Sequence, residues 1–114
     1  MNRQDLFEHH QWLTDRAFEI MQAKNNDYAG SKGDIPFANF QRCEAMGICT
    51  TEQGFLVRIT DKVSRLSTFA QDGKLLVKNE SYEDAILDII NYCVLMSAYI
   101  KSKQEKTSTD SNTS

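Results

Sequence analysis

The segment 81–103 constrains the fold most, because it is apolar around most of a helical circumference and still contains an acid near its middle. Its apolar residues follow helical spacing: Ala85, Ile86, Ile89, Ile90, Cys93, Val94, Met96 and Ala98. A helix with this pattern belongs at the centre of a helical protein, and we expect Cys93 to be a small core residue there. Asp88 and Asn91 interrupt the apolar run, which argues against a membrane span.

Two more long segments predict helices. In the segment 5–24, apolar residues at helical spacing are Leu6, Leu13, Ala17 and Ile20, with Phe7, Phe18 and Met21 widening the stripe. In the segment 51–71, apolar residues alternate at spacings of three and four: Leu56, Ile59, Val63, Leu66 and Ala70. Thr50 and Gln53 predict a capping box at the start of this helix, and Gly73 predicts its end.

Between these helices the sequence predicts a loop and a short helix. The segment 25–39 contains the only Pro, two of the five Gly and several Asn and Asp residues, which favours a loop with specific turns. A short helix is expected over about 36–46, with Gly47 at its end. The fold class is therefore all-α, a small bundle of three long helices and one short helix.

Composition limits the remaining choices. With 114 residues we expect one domain over 1–103, followed by a polar tail over 104–114 that cannot bury enough surface to order itself. A net charge of −3 without a run of Lys or Arg argues against binding to duplex nucleic acid. Three cysteines without a CxxC pair make structural disulfides improbable, and we expect a cytoplasmic protein. The reactivity of Cys43 and Cys49 stays open.

Polar residues recur along one side of the last helix. They are Glu80, Asp84, Asp88 and Asn91, at spacings of four, four and three, so they share one helical face. An unpaired carboxylate among apolar neighbours costs several kcal/mol, so Asp88 needs a cation, a set of hydrogen-bond donors or a metal. Stacked carboxylates suit a hard cation such as Mg²⁺, and the expected metal ligands are Glu80, Asp84 and Asp88.

A basic stripe lies on the preceding helix. Arg58, Lys62 and Arg65 recur at spacings of four and three, with Asp61 among them. These cations can contact phosphate groups of a bound nucleotide. They can equally form an ion-pair network with the acids of the last helix and have no catalytic role. The spacing alone leaves both interpretations open.

A second polar group surrounds the predicted loop. Lys24, Asp27, Tyr28 and Asn39 combine cationic, acidic, aromatic and amide groups that can contact the base and sugar of a nucleotide. In the alternative interpretation, Tyr28, Phe37 and Phe40 anchor the loop to the core, and the Asn and Asp residues only form turns.

Four blocks carry a resemblance to a known family. They are KNNDYAG at 24–30, DIPFANF at 34–40, GFLVRITDKVSRLSTF at 54–69 and ESYEDAILDIINYCVLMSAYI at 80–100. Together they resemble the phage and prophage family called nucleotide modification associated domain, type one. The resemblance implies a place in phage nucleotide metabolism or DNA-base modification.

A weaker resemblance is to the all-α MazG-like and dimeric dUTPase-like pyrophosphatases, in which carboxylates hold Mg²⁺ and the metal holds a nucleoside triphosphate. The segment 88–92, DIINY, is similar to their D-V-x-x-Y motif. Ala85 stands where these enzymes have Glu, and Arg58 begins the segment that corresponds to their E-x-x-E. Either fewer carboxylates hold the metal, or the cations bind phosphates directly.

We therefore expect a nucleotide-handling protein, and if it is an enzyme it releases pyrophosphate from a nucleoside triphosphate. The residues expected to act in catalysis are Asp61, Asp84 and Asp88, with phosphate contacts from Arg58, Lys62 and Arg65. The alternatives are a nucleotide-binding protein without catalysis and a protein-interaction module. The apolar helix 85–100 and Trp12 favour a homo-oligomer.

Overall fold

The protein is all-α, as the sequence predicts. The computed structural model describes the backbone of residues 1–29, 37–74 and 81–112, and the side chains of 1–25, 37–74 and 81–107. These residues form four helices, α1 (Arg3–Ala29), α2 (Ala38–Ala45), α3 (Thr51–Asp72) and α4 (Tyr82–Asn112). As expected, α4 is central, since it packs against both α1 and α3, while α2 packs against α3.

The predicted ends of α3 are confirmed. The backbone N–H of Gln53 donates to the Thr50 hydroxyl, and the Gln53 side chain accepts from the Thr50 backbone N–H, which completes the capping box. Gly73 ends the helix at φ 74°, in the left-handed region where glycine meets no steric penalty. Gly47 has the same φ directly after α2. Local turn chemistry therefore fixes these boundaries.

Two predicted boundaries change. Helix α1 runs on to Ala29, so the first five residues of the predicted loop 25–39 are helical. Helix α4 continues to Asn112, and the predicted disorder of the tail 104–114 is not confirmed. Both extensions follow helices that are already formed, and adding a residue to an existing helix costs far less than nucleating a new one.

The core lies where α2, α3 and α4 meet. Phe55 of α3 is fully buried and stacks on Phe40 of α2, with the ring centroids 4.1 Å apart. Tyr99 of α4 is buried beside Phe55 at 6.0 Å, and Phe37 meets the Tyr99 ring edge-on at 5.5 Å. Aromatic rings from three helices thus hold the short helix α2 in place.

Helix α1 joins the bundle through its second half only. Ala17 is buried, and its backbone carbonyl accepts a hydrogen bond of 3.0 Å from the Asn91 side chain of α4. By contrast, residues 1–12 are all exposed, so Leu6, Phe7 and Trp12 lie outside the core. The sequence predicted an apolar stripe along the whole helix, but a partner within the chain covers only part of it.

Helix α4 is also less covered than its sequence suggests. Cys93 is exposed, so the prediction that it is a small core residue was wrong, because this side of α4 faces away from both neighbouring helices. By length and composition alone, the stretch Tyr82–Thr107 could cross a membrane, a property that it shares with core helices of soluble proteins. The absence of a membrane partner stays a prediction.

Candidate functional site

Asp88 is the centre of a three-helix ion cluster. Its Oδ1 accepts from Lys24 Nζ of α1 at 3.1 Å, and its Oδ2 lies 3.0 Å from Lys62 Nζ of α3. The Asp88 side chain is 17% exposed, Lys62 15% and Lys24 51%. The cluster, which we call the Lys24–Asp88–Lys62 cluster, carries two positive charges and one negative charge and opens to solvent on the Lys24 side.

The cluster forms because Asp88 lies on a face of α4 that packs against the neighbouring helices. Leu87 beside it is buried, and Ile89 is half-buried. A carboxylate in such surroundings loses part of its hydration. Two ammonium groups compensate for the lost hydration with charge-assisted hydrogen bonds. The sequence predicted that Asp88 needs a cation, a set of hydrogen-bond donors or a metal, and in the structure two lysines, Lys24 and Lys62, contact it.

These contacts shift the protonation equilibrium of Asp88. Burial, the largest single cause, raises the pKa of the carboxyl, but the hydrogen bonds and positive charges of Lys62 and Lys24 together lower the pKa by more. The net result is a pKa below the ordinary aspartate value, so Asp88 is ionised at neutral pH.

This shift gives a pH dependence of stability. Because the pKa of Asp88 is lower in the folded protein than in the unfolded chain, the cluster stabilises the fold above about pH 4, and this contribution is lost as the pH falls below that value. We expect Asp88→Asn to be less stable than wild type at pH 7 and to approach it as the pH falls towards about 2. Urea denaturation followed by circular dichroism across this range measures the effect. A stability difference that does not change with pH would contradict the assigned shift.

Asp84 does not join Asp88 in any described contact. It is exposed, and its carboxylate accepts from the Ser81 backbone N–H at 2.9 Å, while the Ser81 hydroxyl accepts from the Asp84 N–H at 3.2 Å. This reciprocal pair caps the first turn of α4. The catalytic and metal-binding roles expected of Asp84 therefore stay predictions, and its described contacts are those of a cap.

The predicted basic stripe divides into three environments. Lys62 turns into the cluster, and Arg58 is exposed. Arg65 Nη2 lies 3.5 Å from Asp61 Oδ2 one turn earlier on the same helix. The expected catalytic residue Asp61 is thus the i, i+4 partner of a predicted phosphate ligand, and Asp61 remains largely exposed.

Several predicted residues lie beyond what the structure describes. Glu80 and the side chains of Asp27 and Tyr28 fall in this group, although Asp27 and Tyr28 belong to the last turns of α1. Asn39 is exposed on α2. Lys24 and Lys62, which were predicted to bind opposite ends of one ligand, therefore contact the same carboxylate. The roles of the other residues expected to bind the base and sugar stay predictions.

The two described members of the expected magnesium set, Asp84 and Asp88, have other partners in this structure. Both Asp88 oxygens already accept from ammonium groups, and Mg²⁺ needs carboxylate oxygens that are free to coordinate it. Among the residues that the structure describes, no group of three His, Cys, Asp or Glu could hold a metal ion. The expected set of Glu80, Asp84 and Asp88 includes one residue outside that part of the chain, and Mg²⁺ stays a prediction.

Two functional contacts were missed by sequence reasoning. Lys24 was assigned to the base end of a ligand, although it is a partner of Asp88. Lys103 Nζ lies 2.9 Å from Glu52 Oε2 and ties the end of α4 to the first turn of α3. The sequence indicates only in general terms that an acid can meet a lysine of an adjacent helix. Residue spacing does not identify which lysine makes the contact.

Comparisons of the chain with protein-family models, with curated proteins and with solved structures found no match. The candidate site therefore depends on its own geometry and charge.

Proposed function

We propose that this protein binds a nucleotide through its phosphate groups at the Lys24–Asp88–Lys62 cluster, without hydrolysing it. The observation that carries the proposal is the convergence of two ammonium groups, from α1 and α3, on one carboxylate of α4. Lysine donors are a common means of binding phosphate. A phosphate oxygen can take a place beside Lys24, whose side chain is half exposed.

The position of Lys24 also supports a nucleotide over inorganic phosphate. Asp27 and Tyr28 follow Lys24 by three and four positions in the sequence of α1, and their side chains lie outside the part of the chain that the structure describes. An aromatic ring can stack on a base, and a carboxylate can accept from a ribose hydroxyl.

Binding without hydrolysis is favoured by the state of Asp88. Metal-assisted attack of water needs a carboxylate that can hold a metal or accept a proton, and both Asp88 oxygens are engaged by lysines. A magnesium-dependent pyrophosphohydrolase, the enzyme that the sequence led us to expect, requires Asp88 to release these partners. Sequestering a nucleotide, or holding it for a modifying enzyme, requires no such change.

The test is calorimetric titration with nucleoside mono-, di- and triphosphates in the presence of a chelator. We expect binding without Mg²⁺ that strengthens with phosphate number. Lys24→Met should weaken it about tenfold or more, because a charge-assisted hydrogen bond contributes about 1.5–3 kcal/mol. Lys101→Met, which changes an exposed lysine on α4, is the matched control and should leave the affinity unchanged.

Three outcomes would contradict this function. No binding across the panel excludes a nucleotide ligand. Equal affinities of Lys24→Met and wild type place the phosphates elsewhere. Release of pyrophosphate on adding Mg²⁺ establishes the hydrolase instead.

A further inference from the structure

Asn91 belongs to the polar face of α4 but contacts none of the three side chains of the ion cluster in any described hydrogen bond. Its side-chain amide instead donates to the backbone carbonyl of Ala17 on α1 at 3.0 Å, in a partly buried position. A carbonyl oxygen has two lone pairs, so it can accept this bond in addition to its bond within the helix. Together with the contact between Lys24 and Asp88, this bond joins α1 to α4.

The acceptor lies at the most buried described position of α1. Ala17 is 2% exposed, and the other side chains of α1 that the structure describes are half-buried or exposed. A small side chain at a helix contact allows the two helices to approach closely, which brings the short Asn91 amide within reach of the opposite backbone. Apolar burial has no direction, so the small apolar contact at Ala17 does not by itself fix how far α1 slides along α4.

The two polar contacts between α1 and α4 agree with one antiparallel arrangement. Lys24 follows Ala17 by seven positions on α1, and Asp88 precedes Asn91 by three positions on α4, so the two helices run in opposite directions. Seven residues span about 10.5 Å of helix and three span about 4.5 Å. The four-carbon stem of Lys24 bridges the difference.

This arrangement is sensitive to the axial position of α1. A shift of α1 by one residue moves each carbonyl about 1.5 Å along the axis and turns the contacting face by about 100°. Such a shift breaks the bond to Asn91 and carries Lys24 away from Asp88. Lys24 cannot hold the position itself, because its stem is flexible and its side chain is 51% exposed. A single amide between packed helices is a well-attested means of fixing their register.

We propose that Asn91 is a positioning residue, whose hydrogen bond to the Ala17 carbonyl fixes α1 on α4 and thereby holds Lys24 beside Lys62. Lys62 needs no such bond, because α3 is held against α4 by the buried rings of Phe55 and Tyr99. The effect of Asn91 on a ligand rests on the proposed function, whereas its effect on the position of Lys24 does not.

The first test uses the protein without ligand. Asn91→Ala removes the amide, and Asn91→Leu removes it while filling the space, so the pair separates a lost hydrogen bond from lost packing. In both variants the amides of residues 13–24 should exchange with solvent hydrogen about tenfold faster, because one hydrogen bond fewer holds this half of α1 in place. The amides of α3 should be unchanged. Gln104→Leu, which changes an exposed amide on α4, is the matched control.

The second test asks whether Asn91 acts on Lys24 in particular. Lys24→Met should lower the melting temperature of the wild type by roughly 1–4 °C and leave that of Asn91→Leu unchanged, because Lys24 is already displaced there. Lys62→Met should lower the melting temperature in both backgrounds. If Asn91 only contributed to general stability, the effects of Asn91→Leu and Lys24→Met would simply add.

The third test repeats this comparison with a nucleoside triphosphate and a chelator, measured by calorimetry. Asn91→Leu should weaken binding about tenfold, as Lys24→Met does, and the double variant should bind no more weakly than either single variant. Wild-type affinity in Asn91→Leu would overturn the positioning role and leave the proposed function intact. Absence of binding to the wild type would reject the proposed function alone.

In that case hydrogen exchange and melting still decide the role of Asn91. Exchange in α1 that neither Asn91 variant accelerates would overturn the proposal. Additive effects of Asn91→Leu and Lys24→Met on the melting temperature would overturn it as well.

Discussion

Replacing Phe55 with alanine should lower the free energy of unfolding by about 3–5 kcal/mol, which is typical of removing a buried aromatic ring. Phe55 has no exposed surface, and it contacts rings from both neighbouring helices, Phe40 at 4.1 Å and Tyr99 at 6.0 Å. The cavity would open where rings of α2, α3 and α4 meet. Small proteins are stable by about 5–15 kcal/mol, so this single change removes a large share.

Urea denaturation at neutral pH, followed by circular dichroism, measures this loss. Phe18→Ala is the matched control, because Phe18 is 61% exposed on α1, and its removal should change the unfolding free energy by about 0.5 kcal/mol or less. If Phe55→Ala does not fold, Phe55→Leu should still lower stability, by about 1–2 kcal/mol. Equal losses for Phe18→Ala and Phe55→Ala would show that the core lies elsewhere.

Local signals explain which parts of the fold could be predicted. The capping box at Thr50 and the left-handed glycines at 47 and 73 act over a few residues, so the sequence alone states where α3 begins and where α2 and α3 end. Helix α1 extends past its predicted end because no residue up to Ala29 forces the chain to stop. Where the sequence offers only helix propensity and no cap or turn residue, the rest of the fold determines where a helix ends.

Periodicity predicts that a face will be buried but does not name its partner. The stripe that begins at Leu56 was recognised, yet in the structure it borders the core, and Phe55 one position earlier fills it. An apolar stripe packs equally well against a helix of the same chain or of a second copy, because the contacts are chemically the same. Only the three-dimensional arrangement distinguishes these cases.

The sequence predicted part of the candidate site. Asp88 needed a cation, hydrogen-bond donors or a metal because of its apolar neighbours, and Lys62 was one of the cations named as a possible ion-pair partner. Lys24 was not named as a partner, because its contact depends on how α1 crosses α4, and it lies 64 positions from Asp88 in the chain. Asp84 shows a different limit of sequence reasoning. Its spacing from Asp88 suits a set of metal ligands, but its position also suits a helix cap, and its described contacts are those of the cap.

Replacing Asp88 with alanine should lower the free energy of unfolding at pH 7 by about 2–4 kcal/mol, because two ammonium groups held near each other lose their shared counter-charge. Lys62 contributes most of this cost, since its side chain is only 15% exposed. Asp61→Ala removes an exposed ion pair on α3, and its effect should stay within about 0.5 kcal/mol. Thermal and urea denaturation of both variants measure the difference.

The same variant separates a structural ion cluster from a ligand site. If Lys24 and Lys62 bind phosphate, removing the Asp88 carboxylate removes an anion that competes with the ligand, so a nucleoside triphosphate should bind Asp88→Ala more tightly than wild type. The ligand should then restore much of the lost stability, because tight binding to the folded state raises the melting temperature. A triphosphate that stabilises Asp88→Ala no more than it stabilises Asp61→Ala would show that the lysines serve only to neutralise Asp88, and the cluster would be structural.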